Sequence, residues 1–507
     1  MNSSTMSSDG WKTCPTAAAN SISTHDTTAT ESDVMYTLRK KWIQFWNEPE
    51  HITVADTSNK QGRDALKCHQ HTDSLFSSTS GFSNYRGLIN LCIVLLVLSN
   101  GRVALENLIK YGLLVNPMYW VRLFVFQGPT DWPCAALFLC INVFLLGAFF
   151  LEKLLSKKTI SESTGNALHV INLAVIICLP AAIVLSVHPN PVFSSMVLGL
   201  HTIAFLKLIS YITVNKWCRE YLQSKKFKKT RLKSTSCLNT ADDSKDEAPN
   251  GFEEKKYVEY PNNLNLNDFY YFMIAPTLCY ELNFPRSARI RKRFLIKRLL
   301  EMVILSQVLL GLLQQWMFPT INNSMKPFHN SDYLSSMERL LKLAIPNHIL
   351  WLIFFYWFFH SCLNVVAELL CFGDREFYKD WWNSQSITAF WSSWNIPVHK
   401  WARRHLYLPM VKSGYDKTMS SVAVFLVSAF FHEYLVSVPL RMFRVWAFMG
   451  MLGQVPFAII TSKWLNGHLS NMALWLSLII GQPLATLMYV HDYYVIHHLH
   501  ADVIPST

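Results

Sequence analysis

The chain has 507 residues, 51% of them hydrophobic, 14% aromatic and only 16% charged, against about a quarter charged in soluble domains. That balance excludes a chain disordered throughout, a collagenous fibre and a disulfide-stapled miniprotein, and leaves a multispanning membrane protein. The formal charge of +12, from 46 Lys and Arg against 34 Asp and Glu, does not indicate nucleic acid, because the basic residues sit mainly beside apolar segments, as the positive-inside rule places them.

Residues 1–83 are rich in Ser, Thr and Asp and cannot bury enough apolar surface to form a core, so they read as a disordered polar tail. No short apolar region with a cleavage signal opens the chain, and the first spanning helix directs insertion. In the apolar stretch 87–115, Arg102, Glu106 and Lys110 recur every four residues; they share one helical stripe, expected to be buried or paired. Residues 132–151 and 163–206 carry no charge, which at about 20 residues per span allows one helix and then two around the turn His188–Pro191. Residues 216–260 switch to a charged linker, basic and then acidic.

Apolar stretches at about 295–316, 344–370, 418–440, 445–462 and 471–496 complete an expected total of nine spans. A cytosolic tail puts Lys153, Lys157, Lys158, segment 216–233, the Arg289–Arg298 cluster and loop 373–417 on the cytosolic side together. Segment 317–343 then faces the opposite compartment and holds a glycosylation triplet, Asn322-Asn323-Ser324. The 11 cysteines are scattered with no CxxC pair and read as reduced and structural.

Ionisable side chains inside spans are costly and mark functional sites by default. The seventh span places His432 and Glu433 between apolar turns, and the ninth places Gln482 beside Pro483 in a charge-free run. His432 is either a histidine hydrogen-bonded to its surroundings or a general base that deprotonates a hydroxyl at neutral pH. Glu433 either bonds to another helix or tunes the histidine. An HExxH zinc site fails because Val436 stands where its second histidine belongs. The terminal group His491, Asp492, His497, His498 and His500 lacks cysteine and a fixed geometry, so no metal is expected. No GxSxG elbow occurs, and the two HxxxxD matches, His51–Asp56 and His497–Asp502, lie in polar tails and agree with chance. The loop between spans six and seven holds five tryptophans and two tyrosines among basic residues. It reads as an interfacial anchor or as a site where rings stack a base and Lys or Arg hold phosphates.

FYKDWWN, Phe377–Asn383, resembles the FYxDWWN signature of the sterol and diacylglycerol acyltransferase branch of the membrane-bound O-acyltransferases. The stretch SAFFHEYLVSVPLRMFRVWAFMGM, 428–451, is similar to the diacylglycerol-acylating members rather than the sterol-acylating ones. The segment from Tyr85, PTLCYELNFPR from Pro276, QQWMFPTINNSMKPF from Gln314 and GQPLATLMYVHDYY from Gly481 extend the resemblance to about 85–495. It implies an all-α integral membrane fold of about nine helices enclosing a catalytic chamber at 84–497, with linker 216–260, the Trp-rich cytosolic loop 373–417 and a short tail 498–507. It also implies an endoplasmic reticulum enzyme, N-terminus cytosolic, that transfers a fatty acyl group from acyl-CoA to diacylglycerol without a cofactor and assembles as a homodimer or homotetramer.

Carried over by position, the family's histidine falls on His432 and its second signature residue on Asn395, with Glu433, Gln482 and His399 lining the chamber. The acyl-CoA entrance takes Phe377, Tyr378, Asp380, Trp381, Trp382, Asn383, Trp394, His399, Lys400 and Arg404. Sterol acylation is the near alternative. A proton or substrate transporter is the distant one, disfavoured by the lack of an inverted hydropathy repeat, and a lipid-binding scaffold would be expected to lose the histidine.

Overall fold

A computed structural model of the protein describes residues 86–116, 118, 132–235, 258–329, 333–465, 467–494 and 496. The predicted tails 1–83 and 498–507, both HxxxxD pairs and residues 236–257 of the linker lie outside them. The chain divides after Leu91 into two units; the packing below is that of the second.

Four long helices come first: α1 Arg86–Tyr111, α2 Trp132–Ser156, α3 Glu162–Val187 and α4 Pro191–Thr235. Arg102, Glu106 and Lys110 stand exposed on α1, not buried or paired with one another. Ser161 caps α3 by accepting the amide of Thr164 at 3.1 Å, and His188 ends it in the left-handed region at φ 62°. Asn190 then accepts the amide of Val192 at 2.9 Å, and Pro191 opens α4 where no amide hydrogen is needed, so the predicted turn is where the charge-free run placed it. α4 continues to Thr235, well into the predicted linker. Lys, Arg and Gln are good helix formers, and Arg219 is bonded to Glu152 and Glu162.

Next come α5 Leu266–Ile274, α6 Lys292–Leu312, α7 Phe318–His329 and α8 Tyr333–Phe355, which passes through a π-helical turn at 356–362 into α9 Leu363–Leu369. A second π-helical turn, 313–317, joins α6 to α7. There Gln314 and Gln315 pair with the backbone after α1: Gln315 accepts the amide of Leu114 at 2.9 Å and donates to the carbonyl of Gly112 at 2.8 Å. Gln314 does the same with Asn116, at 2.8 and 3.3 Å. The glycosylation triplet falls within α7 with Ser324 buried, so it is not the exposed loop such an acceptor requires.

The last part holds α10 Ile387–Ser393, α11 Ile396–Ala402, α12 Leu408–Lys412, α13 Lys417–Leu440, α14 Trp446–Leu452, α15 Gln454–Trp464 and α16 His468–Tyr494. The eighth predicted span, 445–462, is thus two short helices meeting at Gly453, and neither reaches the about 20 residues a crossing needs. Among the described residues, six helical stretches are long and apolar enough to cross a membrane: 132–156, 162–187, 191–225, 333–369, 417–440 and 469–493. α6 is not among them; five charged residues occupy its first ten positions. Among the described residues there is no strand, only one antiparallel bridge, Arg286 to Phe372.

Two aromatic cores position the site. In one, Phe149, Tyr211, Phe269, Phe272 and Tyr280 are fully buried between α2, α4, α5 and the segment after α5, and Tyr434 of α13 joins them by donating to the carbonyl of Ile177 at 2.8 Å. In the other, Trp381, Phe390, Trp394 and Trp475 gather around Trp351 and Phe355 of α8. Trp351 stacks on Trp394 with centroids 5.2 Å apart. Each buried ring removes large apolar area from water and adds about 0.5–1.5 kcal/mol per favourable aromatic pair.

Candidate active site

His432 lies on α13 with its side chain exposed, and its Nδ1 is 2.8 Å from the carbonyl oxygen of Ser428, one turn back. A carbonyl only accepts, so Nδ1 carries the proton and the lone pair of the neutral ring sits on Nε2. That tautomer is the one a general base needs when the proton to be taken lies beyond the ring's far edge.

Glu433 points elsewhere. Its carboxylate accepts four hydrogen bonds: from the hydroxyl of Ser437, from the amides of Val445 and Phe448 at 3.0 Å each, and from the hydroxyl of Tyr489 at 2.9 Å. α13 ends at Arg441 in the left-handed region, φ 55°, and Val445 before α14 adopts φ 55° as well. A valine has no side-chain acceptor for the first amides of a helix, which would otherwise be unpaired. Glu433 supplies one from the preceding helix, and Tyr489 completes the cap by accepting the amide of Ala447 at 3.0 Å. The negative carboxylate at the positive end of α14 is also favourable.

Gln482 is on α16, two turns before Tyr489, half-buried. α16 is therefore tied to α13 through Tyr489–Glu433 and to the turn after it through Arg444, whose guanidinium meets Asp492 at 2.9 Å. At its other end Asn471 donates to the carbonyls of Ser384 and Trp382 at 2.7 and 3.3 Å. The structure thus joins the helices of His432, Glu433 and Gln482 to one another and to the end of FYKDWWN. It does not link Asn395 to His432 directly by any hydrogen bond among the described residues. Asn395 caps α11, its Oδ1 accepting the amide of Val398 at 3.3 Å, and among the described residues its amide nitrogen makes no hydrogen bond.

The entrance residues separate by burial. Phe377 and Trp381 are 2% and 3% exposed, Trp381 within the second aromatic core and Phe377 packed with Ala275, Ala367 and Phe372. The hydroxyl of Tyr378 is 2.8 Å from Nδ1 of His360 in the π-helical turn after α8. Trp382 at 46%, Asp380 and Asn383 are exposed, and Trp394 is half-buried in its stack. The motif docks on the segment bearing Asn395, Lys379 donating its amide to Ser393 at 2.8 Å and Ile396 donating to Phe377 at 3.0 Å. Lys400 pairs with Asp374 at 2.9 Å. Burial lowers the basicity of His399, helped by the charges of Arg403 and Lys379.

PTLCYELNFPR seats the basic segment 403–405 between α11 and α12. Tyr280 donates its amide to the Ser210 hydroxyl at 2.8 Å, and its carbonyl accepts Arg404 at 2.9 Å. Ser210 in turn lies 2.8 Å from Nε2 of His405. Burial, with the Arg404 charge as a lesser cause, pushes the pKa of His405 down to about 4, so it stays neutral.

Two ionic features were missed. Lys207 of α4 is buried and donates to the carbonyls of Phe272, Met273 and Ala275 at 3.0, 2.8 and 2.7 Å, using all three donors to cap α5. Glu152 on α2 is fully buried, bonded to Arg219 and 3.1 Å from Nε2 of His169. A lone charge in an apolar run was the only signal, because the partners are far away in sequence.

A model described as the membrane-bound O-acyltransferase family matches residues 159–491. Over 444 residues the chain is 57% identical to diacylglycerol O-acyltransferase 1 of Homo sapiens, covering 87% of each chain. It is 57% identical to the Bos taurus protein of that name over 433 residues, covering 85% of this chain and 86% of the other. It is 38% identical to diacylglycerol O-acyltransferase 1C of Glycine max over 437 residues, covering 85% and 80%.

Proposed function

This chain belongs to the membrane-bound O-acyltransferase family, and we propose that His432 is the general base of its reaction. It is an acyl-CoA:diacylglycerol acyltransferase, moving a fatty acyl group onto the free hydroxyl of diacylglycerol to form triacylglycerol. The observation that carries the assignment of the base is the Nδ1 bond to Ser428, which leaves Nε2 to take the proton. The hydroxyl oxygen attacks the thioester carbonyl, the carbon–sulfur bond breaks, and the proton passes from His432 to the departing CoA thiolate. No acyl-enzyme forms and no cofactor is consumed.

The developing oxyanion needs a donor. The amide donors of Asn395 and the amide of Gln482 serve this purpose, the first favoured by the capping bond that fixes its Oδ1, the second by the ties that hold α16 to α13 and the turn after it. Glu433 positions rather than reacts. Exposed Trp382, Asp380, Asn383 and Lys400, with His399 and Arg404, meet acyl-CoA, while buried Phe377 and Trp381, with Tyr378 and Trp394, hold the entrance in shape.

We place the enzyme in the endoplasmic reticulum with its N-terminus and Trp-rich loop cytosolic, and count α1, α6 and the α14–α15 pair with the six long stretches as nine membrane segments around the chamber. A homodimer or homotetramer is the assembly; deleting residues 1–80 should reduce the mass of the solubilised particle, and an unchanged mass counts against a role for the tail. The activity is tested by transfer of labelled oleoyl groups from oleoyl-CoA in membranes offering diacylglycerol and cholesterol together. Triacylglycerol alone is expected; cholesteryl ester as the main product would overturn the acceptor assignment.

A further inference from the structure

The basic residues between Arg289 and Arg298 divide into two sets. Arg291, itself exposed, and buried Arg298 are neutralised: Arg291 pairs with the buried Glu368 at 2.9 Å, Arg298 with Glu301 at 2.7 Å, and both guanidinium groups lie against the Phe294 ring. Arg289, Lys292, Arg293 and Lys297 are exposed, and among the described residues none of their side chains makes an ion pair or hydrogen bond. At 100° per residue, Lys292, Arg293 and Lys297 share one arc of α6 with Ile296, Leu300, Val303 and Ile304, whose exposures run from 56% to 62%. The strap carrying Arg289 is pinned just upstream, where Ser287 donates to the carbonyl of Cys371 and Gly373 to that of Pro285, both at 2.8 Å.

We propose that this face binds an anionic glycerophospholipid, its phosphate on Arg289, Lys292, Arg293 and Lys297 and its acyl chains along the apolar arc below. Positive-inside bias alone accounts for basic residues near a span end, but it does not sort them into ion-paired cations and unpaired ones that share a face with the apolar arc. From Lys292 to Ile304 the helix rises about 18 Å, close to the about 15 Å depth of one hydrocarbon leaflet. A soluble phosphate would use the cations and leave the arc unused, whereas a lipid engages both. Clusters of four or more basic residues at a span end attract anionic headgroups, each contributing roughly a fivefold factor. The inference rests on reading α6 as a membrane segment.

The full chain would be reconstituted in phosphatidylcholine discs containing a minority of phosphatidylserine, extracted into detergent, and its retained lipid quantified by mass spectrometry. Enrichment of phosphatidylserine over its bilayer share is expected. Each Arg or Lys→Gln change at the four positions should lower it about fivefold, while Arg289→Lys and Arg293→Lys preserve it and rising salt weakens it. Retention in bilayer proportion, equal retention by the quadruple Gln variant, or displacement by free coenzyme A would overturn the proposal. The salt titration of the unaltered protein decides the matter if that variant does not fold. Because retention is read without turnover, a chain that keeps the lipid but makes no triacylglycerol would sink the proposed function and leave this inference standing.

Discussion

Tyr489 donates its hydroxyl to Glu433 at 2.9 Å and accepts the amide of Ala447 at 3.0 Å, so one phenol fastens α16 to both α13 and the start of α14. His432 and Gln482 are each carried by a helix that this bond holds. Tyr489→Phe keeps the ring and removes both bonds, and should lower kcat about tenfold or more with little change in the KM for acyl-CoA, since small misplacements of reacting groups act on the chemical step. Steady-state kinetics in one membrane preparation would check it. A raised KM with kcat intact would assign Tyr489 to substrate binding.

Glu433→Ala should cost more than Tyr489→Phe, because it strips partners from two amides and two hydroxyls at once. Combined, the two changes should be clearly less than additive, as groups in one network are. Additive losses in a double-mutant cycle would mean the residues act separately.

His432→Ala should abolish nearly all turnover while the protein elutes and melts like the unaltered chain. The side chain is exposed and its sole described hydrogen bond is to the carbonyl of its own helix, so little stability depends on it. A variant that keeps a substantial fraction of the activity would remove His432 from the role of base.

The site's acid sensitivity should come from His405. Its pKa is depressed to about 4 in the fold against about 6.5 in an unfolded chain, so between these values the unfolded chain binds the extra proton and stability is lost as pH falls. Above about 6.5 the group contributes no slope. His405→Asn should flatten the fall of the melting temperature across that window, and an unchanged slope would exclude His405 as its source.

Arg219→Ala should destabilise by about 3–5 kcal/mol, the usual cost of leaving a buried charge alone, here the carboxylate of Glu152. Replacing both partners by apolar residues of similar volume should restore much of that. Melting and expression of the single and paired variants provide the comparison.

What sequence revealed depended on how far apart the interacting residues are. The charge-free runs at 132–151 and 163–206 and the turn His188–Pro191 are local signals, and α2 starts, and α3 starts and stops, close to where they lie, while α4 runs on beyond them. His432 stood out because an imidazole in an apolar run is itself unusual. The four bonds of Glu433 left no such trace, because three of their partners are backbone amides or a phenol far along the chain. Tryptophan density did not distinguish a wet interfacial ring such as Trp382 from a dry one such as Trp381; that difference arises only when α8 and α16 close over the loop. The stretch 445–462 was apolar enough for one spanning helix, yet it breaks at Gly453 into two short ones.

The exchange of hydrogen bonds between residues 112–116 and the glutamine pair at 314 and 315 bridges about two hundred positions of chain. At the usual pace of about 5–20 residues per second, the ribosome takes roughly ten to forty seconds to make that interval. Throughout it the amides and carbonyls beyond α1 wait for partners that have not yet been translated. The first helix of the described fold is therefore secured only after α2, α3 and α4, which lie wholly within that interval, and a chain that stalls before Gln314 leaves those backbone groups without these partners.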